Sequence, residues 1–100
     1  MTATMASITE EVSRQTDVSL EYLRGPMRWP HVVEARHMAM FLAREITGYS
    51  QIRIARALGR TDHTTVRHAC RRMRDRMRSD PALANRLLAI KAKFAPPTRT

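Results

Sequence analysis

The sequence predicts an all-α protein, a compact helical domain of about five to six helices. Three observations carry this. Apolar residues recur at three- and four-residue spacing over most of the chain, while strand signals are few. Helix punctuation falls between those stretches, with Ser, Asp and Pro at their starts and Gly at their ends. The 100 residues are the length of one domain, and 43% apolar content is enough for one core.

The elements follow in order. Ser7 and Glu10 have the spacing of a capping box, and Ile8 and Val12 lie one turn apart. They predict a helix over 8–15, behind a flexible start at 1–6. Val18, Leu20 and Leu23 form the inner side of a short helical turn, stopped by Gly25-Pro26. Gly25 to Pro30 is a loop carrying Arg28 and Trp29, and the indole reads as a lid on the core rather than a stacking platform. From His31, the residues Val32, Ala35, Ala39, Leu42, Ala43 and Ile46 repeat at helical spacing, with Pro30 before them and Gly48 as C-cap. Ser50 caps a helix through Leu58 that turns Ile54, Ala55 and Leu58 inward, and Gly59 ends it. Thr61 or Asp62 caps the next helix, in which Val66, Ala69, Cys70, Met73 and Met77 form a buried stripe as far as about Arg78. Ser79-Asp80-Pro81 breaks that helix and starts another. Its Leu83, Leu87, Ile90 and Phe94 are expected to pack on the same domain, in preference to a dimer contact. Residues 95–100, with two prolines, read as a frayed tail.

Composition removes several classes. A net charge of +9 is too modest to force disorder. No apolar run approaches the roughly 18 residues of a membrane span, and Met1 to Ser7 lacks the marks of a signal peptide. One cysteine, Cys70, allows no internal disulfide, so a cytoplasmic location is expected. Charge is unevenly placed. Residues 1–48 carry five Arg and six acidic groups, a net of −1, whereas residues 49–100 carry thirteen Lys or Arg against three Asp, a net of +10. The density between Arg53 and Arg78 reads as a footprint for a polyanion more than as a merely solvated face.

Two helices joined by a glycine-containing turn, the second one basic, make a helix-turn-helix, here centred on Thr61 to Arg78. An α-helix fits the major groove of DNA, and residues near its start reach base edges. Asp62, His63, Thr64 and Thr65 occupy that place, short or polar enough for hydrogen bonds or methyl contacts. Arg67, His68, Arg71, Arg72, Arg74, Arg76 and Arg78 follow, and a helix spreads them around its circumference. Those opposite the Val66/Cys70/Met73 stripe are the phosphate candidates. Asp62 has a second reading as the helix cap, and the two roles coexist across its two oxygens. His63 and His68 face different sides, with no Cys or carboxylate to complete a tetrahedral set, so no metal is expected. Cys70 lies in the apolar stripe and reads as core, and Asp62-His63 lacks a third partner for acid–base chemistry. No enzyme activity and no cofactor are expected.

Asp62-His63-Thr64-Thr65-Val66, followed by His68-Ala69-Cys70-Arg71, resembles the DNA-binding C-terminal domain of the bacterial replication initiator DnaA, a Trp-repressor-like helix-turn-helix. The resemblance extends back through Arg36-His37-Met38-Ala39-Met40 and Ile54-Ala55, over residues 7–94. It implies that Asp62 to Thr65 contact bases or phosphates of a short asymmetric box related to TTATNCACA. It also implies that the loop before the long helix sends Arg28 into the minor groove. The expected DNA-contacting set is Arg28, Arg36, His37, Arg44, Gln51, Arg60, Asp62, His63, Thr64, Thr65, Arg67, His68, Arg71 and Arg72. Three positions depart from the family pattern. Thr61 stands where a basic residue is usual, Arg28 is the sole fixed charge from Gly25 to His31, and Arg67 replaces a common aliphatic. There is no G-x-x-x-x-G-K-[ST] loop, and the three glycines stand at 25, 48 and 59. The chain therefore reads as a stand-alone relative lacking the ATPase module.

Two function classes are expected to compete. One is sequence-specific binding of double-stranded DNA, at a DnaA-box-like site, by a nucleoid-associated transcription regulator or replication-linked factor. The other is a basic adaptor for a protein partner or an anionic membrane surface. The quartet Asp62 to Thr65 separates them, because an adaptor needs no base-reading groups. RNA is disfavoured by the few aromatics and the absence of a predicted sheet. A lone domain makes few contacts, so a homodimer or a protein partner already on DNA would supply further affinity.

Overall fold

A computed structural model describes residues 2–94, and the tail expected at 95–100 lies outside the described residues. Six helices follow one another without a strand among those residues: α1 (Met5–Thr16), α2 (Leu20–Arg24), α3 (Pro30–Thr47), α4 (Gln51–Ala57), α5 (Thr64–Ser79) and α6 (Pro81–Lys91).

Most helix ends follow the sequence signals. Ser50 accepts the Arg53 N–H at 3.1 Å to start α4, and Asp80 accepts the Leu83 N–H at 3.1 Å to start α6 with Pro81 in its first turn. Gly48, at φ 71°, closes α3 in the left-handed conformation that a residue without Cβ adopts freely. The start of α1 differs. Thr4, not Ser7, is the cap, and Ser7 is the far member of its box. The Ser7 N–H donates to Thr4 Oγ1 at 3.0 Å, and the Thr4 N–H donates to Ser7 Oγ at 2.9 Å. A serine at that third position lacks the Glu or Gln that makes a capping box legible.

Helix α3 is the centre of the molecule and packs against α1, α2, α4, α5 and α6. It buries the predicted Val32, Ala35, Ala39, Leu42, Ala43 and Ile46, together with Met38, Met40 and Phe41. A helix covered from several sides has no single apolar stripe, so periodicity understates its burial. The stripe on α5 and the Leu83/Leu87/Ile90/Phe94 face both lie in the same core, with Met77 partly buried against it. Trp29 does not. It is 49% exposed and covers no core, a correction to its reading as a lid.

The loop between α2 and α3 is tied down by an arginine. Arg36 is only 5% exposed. Its Nε donates to Leu23 O at 2.9 Å, and its Nη2 donates to Tyr22 O, Gly25 O and Met27 O at 2.9, 3.1 and 3.0 Å. Burial, then repulsion from Arg60 and Arg28, lowers its pKa to about 10, so it remains charged at neutral pH. Arg36 therefore leaves the expected DNA-contacting set, because a guanidinium bonded to four carbonyls is committed to the fold.

Candidate nucleic-acid interface

Helix α4, the turn Leu58–His63 and helix α5 form the helix-turn-helix. Gly59 sits in the turn at φ 74°, and a Cβ there would stand 2.1 Å from the Arg24 carbonyl oxygen. The turn is thus pressed against the end of α2, which only glycine permits. The Arg60 N–H closes back on Ala55 O at 2.8 Å, and the Arg60 side chain donates to Gly25 O at 2.5 Å. Gly25 O accepts from both Arg36 and Arg60, so the Arg28 loop and the turn are joined through one carbonyl.

Asp62 and His63 are exposed ahead of α5, and Thr64 and Thr65 are half-buried in its first turn. Asp62 Oδ1 accepts the Thr64 N–H at 2.9 Å and the Thr64 hydroxyl at 2.7 Å. These bonds, backbone first, hold the Asp62 carboxyl below its ordinary pKa, helped by His63 and His68. The N-cap position of α5 is His63, which makes no side-chain cap bond; Asp62, one residue earlier, accepts the Thr64 N–H in its place, and neither Thr61 nor Asp62 is the cap residue itself. The other Asp62 oxygen, Oδ2, is outside that pair of bonds.

Behind this edge, Val66, Ala69, Cys70 and Met73 are buried, which fixes the rotation of α5 about its axis. One flank then carries Thr65, His68 and Arg72 toward α3, Arg71 stands beside them at the edge of the same recess, and the other flank carries Arg67 and Arg74. Arg76 is spent on Glu34 at 3.0 Å, and Arg78 pairs with Asp75 at 3.5 Å. Among the described residues Arg67, Arg71, Arg72 and Arg74 have no such carboxylate partner.

Two adjoining recesses organise the basic groups. A recess of about 320 Å³ is lined by Pro26, Arg28, Val33, Arg36, His37, Arg60 and Thr65. A more open one of about 540 Å³ is lined by His37, His68, Arg71, Arg72, Asp75 and Arg76. His37 belongs to both, so one groove runs from the Arg28 loop, past the start of α5, along its inner flank. Burial and then the charges of Arg72, Arg36 and Arg76 push the His37 pKa down, opposed by Glu34.

Of the expected residues, the structure gathers Arg28, His37, Arg60, Thr65, His68, Arg71 and Arg72 around this groove. Arg67 stands exposed on the other flank of α5, and Gln51 opens α4. Arg44 lies at the far end of α3, where its Nη1 donates to Tyr49 O at 2.6 Å and to Gly48 O at 3.3 Å. Two exposed apolar side chains, one on α4 and one in the Arg28 loop, fell outside the expected set. Ile52, in the first turn of α4, is 50% exposed, on the side away from the inner face of Ile54, Ala55 and Leu58. Trp29 is the other, and its proline neighbour gave no sign of its orientation.

A helix-turn-helix whose second helix opens on a polar quartet and carries unpaired arginines defines a nucleic-acid-binding class of domain. The comparison with known families agrees. Residues 5–73 match the bacterial DnaA protein helix-turn-helix, and the chain belongs to that family. Similar proteins include the chromosomal replication initiator protein DnaA of Levilactobacillus brevis, 38% identical over 88 residues, covering 88% of this chain and 20% of the relative. The protein of the same name from Chloroflexus aurantiacus is 37% identical over 88 residues, covering 88% and 18%. That of Lactococcus lactis subsp. cremoris is 36% identical over 91 residues, covering 91% and 20%. The chain thus spans about a fifth of the length of these relatives.

Proposed function

We propose that this chain binds double-stranded DNA sequence-specifically, with α5 in the major groove and Arg28 in the adjoining minor groove. The observation that supports it best is the first turn of α5. There Asp62, His63, Thr64 and Thr65 form an outward polar edge on a helix whose opposite side is locked in the core. His63, Thr64, Thr65 and the free oxygen of Asp62 read bases, while Arg60, Arg67, His68, Arg71 and Arg72 hold phosphates. Narrow A·T-rich segments attract Arg28. An adaptor for a protein or an anionic membrane surface would have no use for that polar edge.

The biological role we infer is a nucleoid-associated, replication-linked factor or a transcription regulator that acts at sites related to the DnaA box. Its relatives carry the name of a replication initiator, which favours the first. A second copy or a partner on neighbouring DNA would raise affinity by effective concentration.

Binding-site selection from a random duplex pool tests the reading directly. Against the selected site, His63→Ala and Thr64→Ala should each cost about 1–3 kcal/mol and much less on random duplex. If about five phosphates are neutralised, log K should fall with log salt at a slope of roughly −4 to −5. A flat salt titration, or variants that still discriminate the site, would place recognition elsewhere.

A further inference from the structure

The indole of Trp29 is exposed, yet it is held in place. Tyr22 meets it edge-on with ring centroids 5.7 Å apart at 87°, and His31 stacks on it at 6.0 Å and 18°. Its backbone is confined as well. Pro30 restricts the preceding residue to extended conformations, and Trp29 O accepts the Val32 and Val33 N–H groups, both at 2.9 Å. The loop that carries it is fastened by Arg36 and, through Gly25 O, by Arg60 of the helix-turn-helix. An exposed tryptophan that is already ordered has little entropy left to lose on binding, which is the condition for an anchoring contact.

We propose that Trp29 is a non-ionic DNA contact, packing its indole against the deoxyribose wall of the minor groove that Arg28 enters. The inference rests on the duplex-binding reading above and goes beyond it. Arg28 is the adjacent residue, exposed beside it, and lines the same basic recess as Arg60, His37 and Thr65. The aromatic cluster stands outside the lining of that recess, on the same loop and one residue from Arg28, so a duplex that takes up Arg28 lies within reach of the indole. Minor-groove proteins combine cationic side chains with apolar ones in this way. The indole Nε1–H is a donor, suited to the acceptors that A·T pairs display there. Because the contact neutralises no phosphate, it adds affinity without adding to the salt slope.

Trp29 is the single tryptophan of the chain, so its emission reports on this site alone. The full chain is titrated with a duplex carrying TTATCCACA beside an A·T-rich flank, and with a random-sequence duplex. Trp29 emission should change on binding the first. Trp29→Ala should weaken binding about tenfold with the salt slope unchanged, whereas Arg28→Ala should make the slope shallower by about one unit. Trp29→Phe should retain most of the affinity, and thermal melting of each variant checks the fold. If the wild-type chain binds, with His63→Ala and Thr64→Ala impaired, but Trp29 emission is silent or Trp29→Ala binds within about twofold of wild type, this inference alone is overturned. If the wild-type chain binds neither duplex, duplex binding itself is overturned and the Trp29 contact with it. Should Trp29→Ala fail to fold, wild-type emission and Trp29→Phe still decide the matter.

Discussion

Two neighbouring residues on α3, Arg36 and His37, show how one turn of helix divides structural from functional work. Arg36 points into the loop between α2 and α3 and satisfies its carbonyls, so its removal should act on stability first. Arg36→Met is expected to destabilise the domain by about 3 kcal/mol in urea unfolding, because charged hydrogen bonds are lost and buried carbonyls are orphaned. A loss under about 1 kcal/mol would show that the loop holds its shape without the guanidinium. His37 instead opens on the groove, amid Arg28, Arg36, Arg60, His68, Arg71, Arg72 and Arg76, with Glu34 and Asp75 opposing them. Its free-state pKa is depressed below the ordinary 6.5 by burial and then by Arg72, Arg36 and Arg76. In the proposed DNA complex a phosphate beside the groove would favour the charged ring, so the bound-state pKa would be higher and the complex would hold more protons. Affinity should therefore rise as pH falls through the bound-state pKa, and level off below the free-state one. Affinities measured across that range should lose this component in His37→Gln. A variant that retains the full pH dependence would show that His37 is not its source.

At the scale of elements, the helix-turn-helix depends on one close approach. Gly59 combines a positive φ with the Arg24 carbonyl against its missing Cβ. Gly59→Ala should therefore do more than add the usual cost of left-handed backbone. The methyl cannot fit, so the turn must leave α2 and carry Arg60 off Gly25 O. We expect a loss of at least about 2 kcal/mol in stability, with weaker DNA binding from the displaced Arg28 loop. Near-normal melting would mean that the turn and α2 separate easily. The stripe on α5 was legible because that helix has one buried side and one solvated side. The burial of α3 was legible only in part: spacing picked out Val32, Ala35, Ala39, Leu42, Ala43 and Ile46 but not Met38, Met40 and Phe41, because five other helices surround it.

At the scale of the whole molecule, the two ends of the described chain are joined through a buried carboxylate. Glu11, on α1, is 3% exposed and accepts from Lys93 Nζ at 2.8 Å, from Gln15 Nε2 at 2.9 Å and from Arg14. Arg86 adds a second tie, donating to Gln15 O at 2.5 Å. The Lys93 bond, followed by that from Gln15, holds the Glu11 pKa at about 2, against the ordinary 4.5. The folded-state pKa is depressed, so this stabilisation is fully present above about 4.5 and is lost as pH falls toward about 2. The partners Lys93 and Arg14 stand 40% and 67% exposed, so solvent screens the contribution to about 1–2 kcal/mol at neutral pH. Wild-type stability should fall steeply across that interval, and Glu11→Gln should be less stable at neutral pH with a shallower acid limb. An unchanged limb would assign acid sensitivity to other carboxylates. Neither Glu11 nor Lys93 can be recognised as a pair in the sequence, since 82 positions separate them.

The sequence by itself determined the all-α class, the starts of α3, α4 and α6, the stops after α2, α3 and α4, and the identity of the helix that opens on Asp62-His63-Thr64-Thr65. Those features are local. Caps, breaks and a one-sided apolar stripe act within a few residues of themselves, and so does a contiguous motif. Tertiary structure alone decided which cations are free and which are spent. Arg36 and Arg76 look like Arg28 and Arg72 in the sequence, yet the first two are bonded to carbonyls and carboxylates brought from other elements. It likewise decided that Trp29 faces outward between Tyr22 and His31, and that His37 joins two recesses into one groove. The physical reason is that a hydrogen-bond partner or a buried face is set by what the rest of the chain delivers to that point in space, which spacing along one helix does not record.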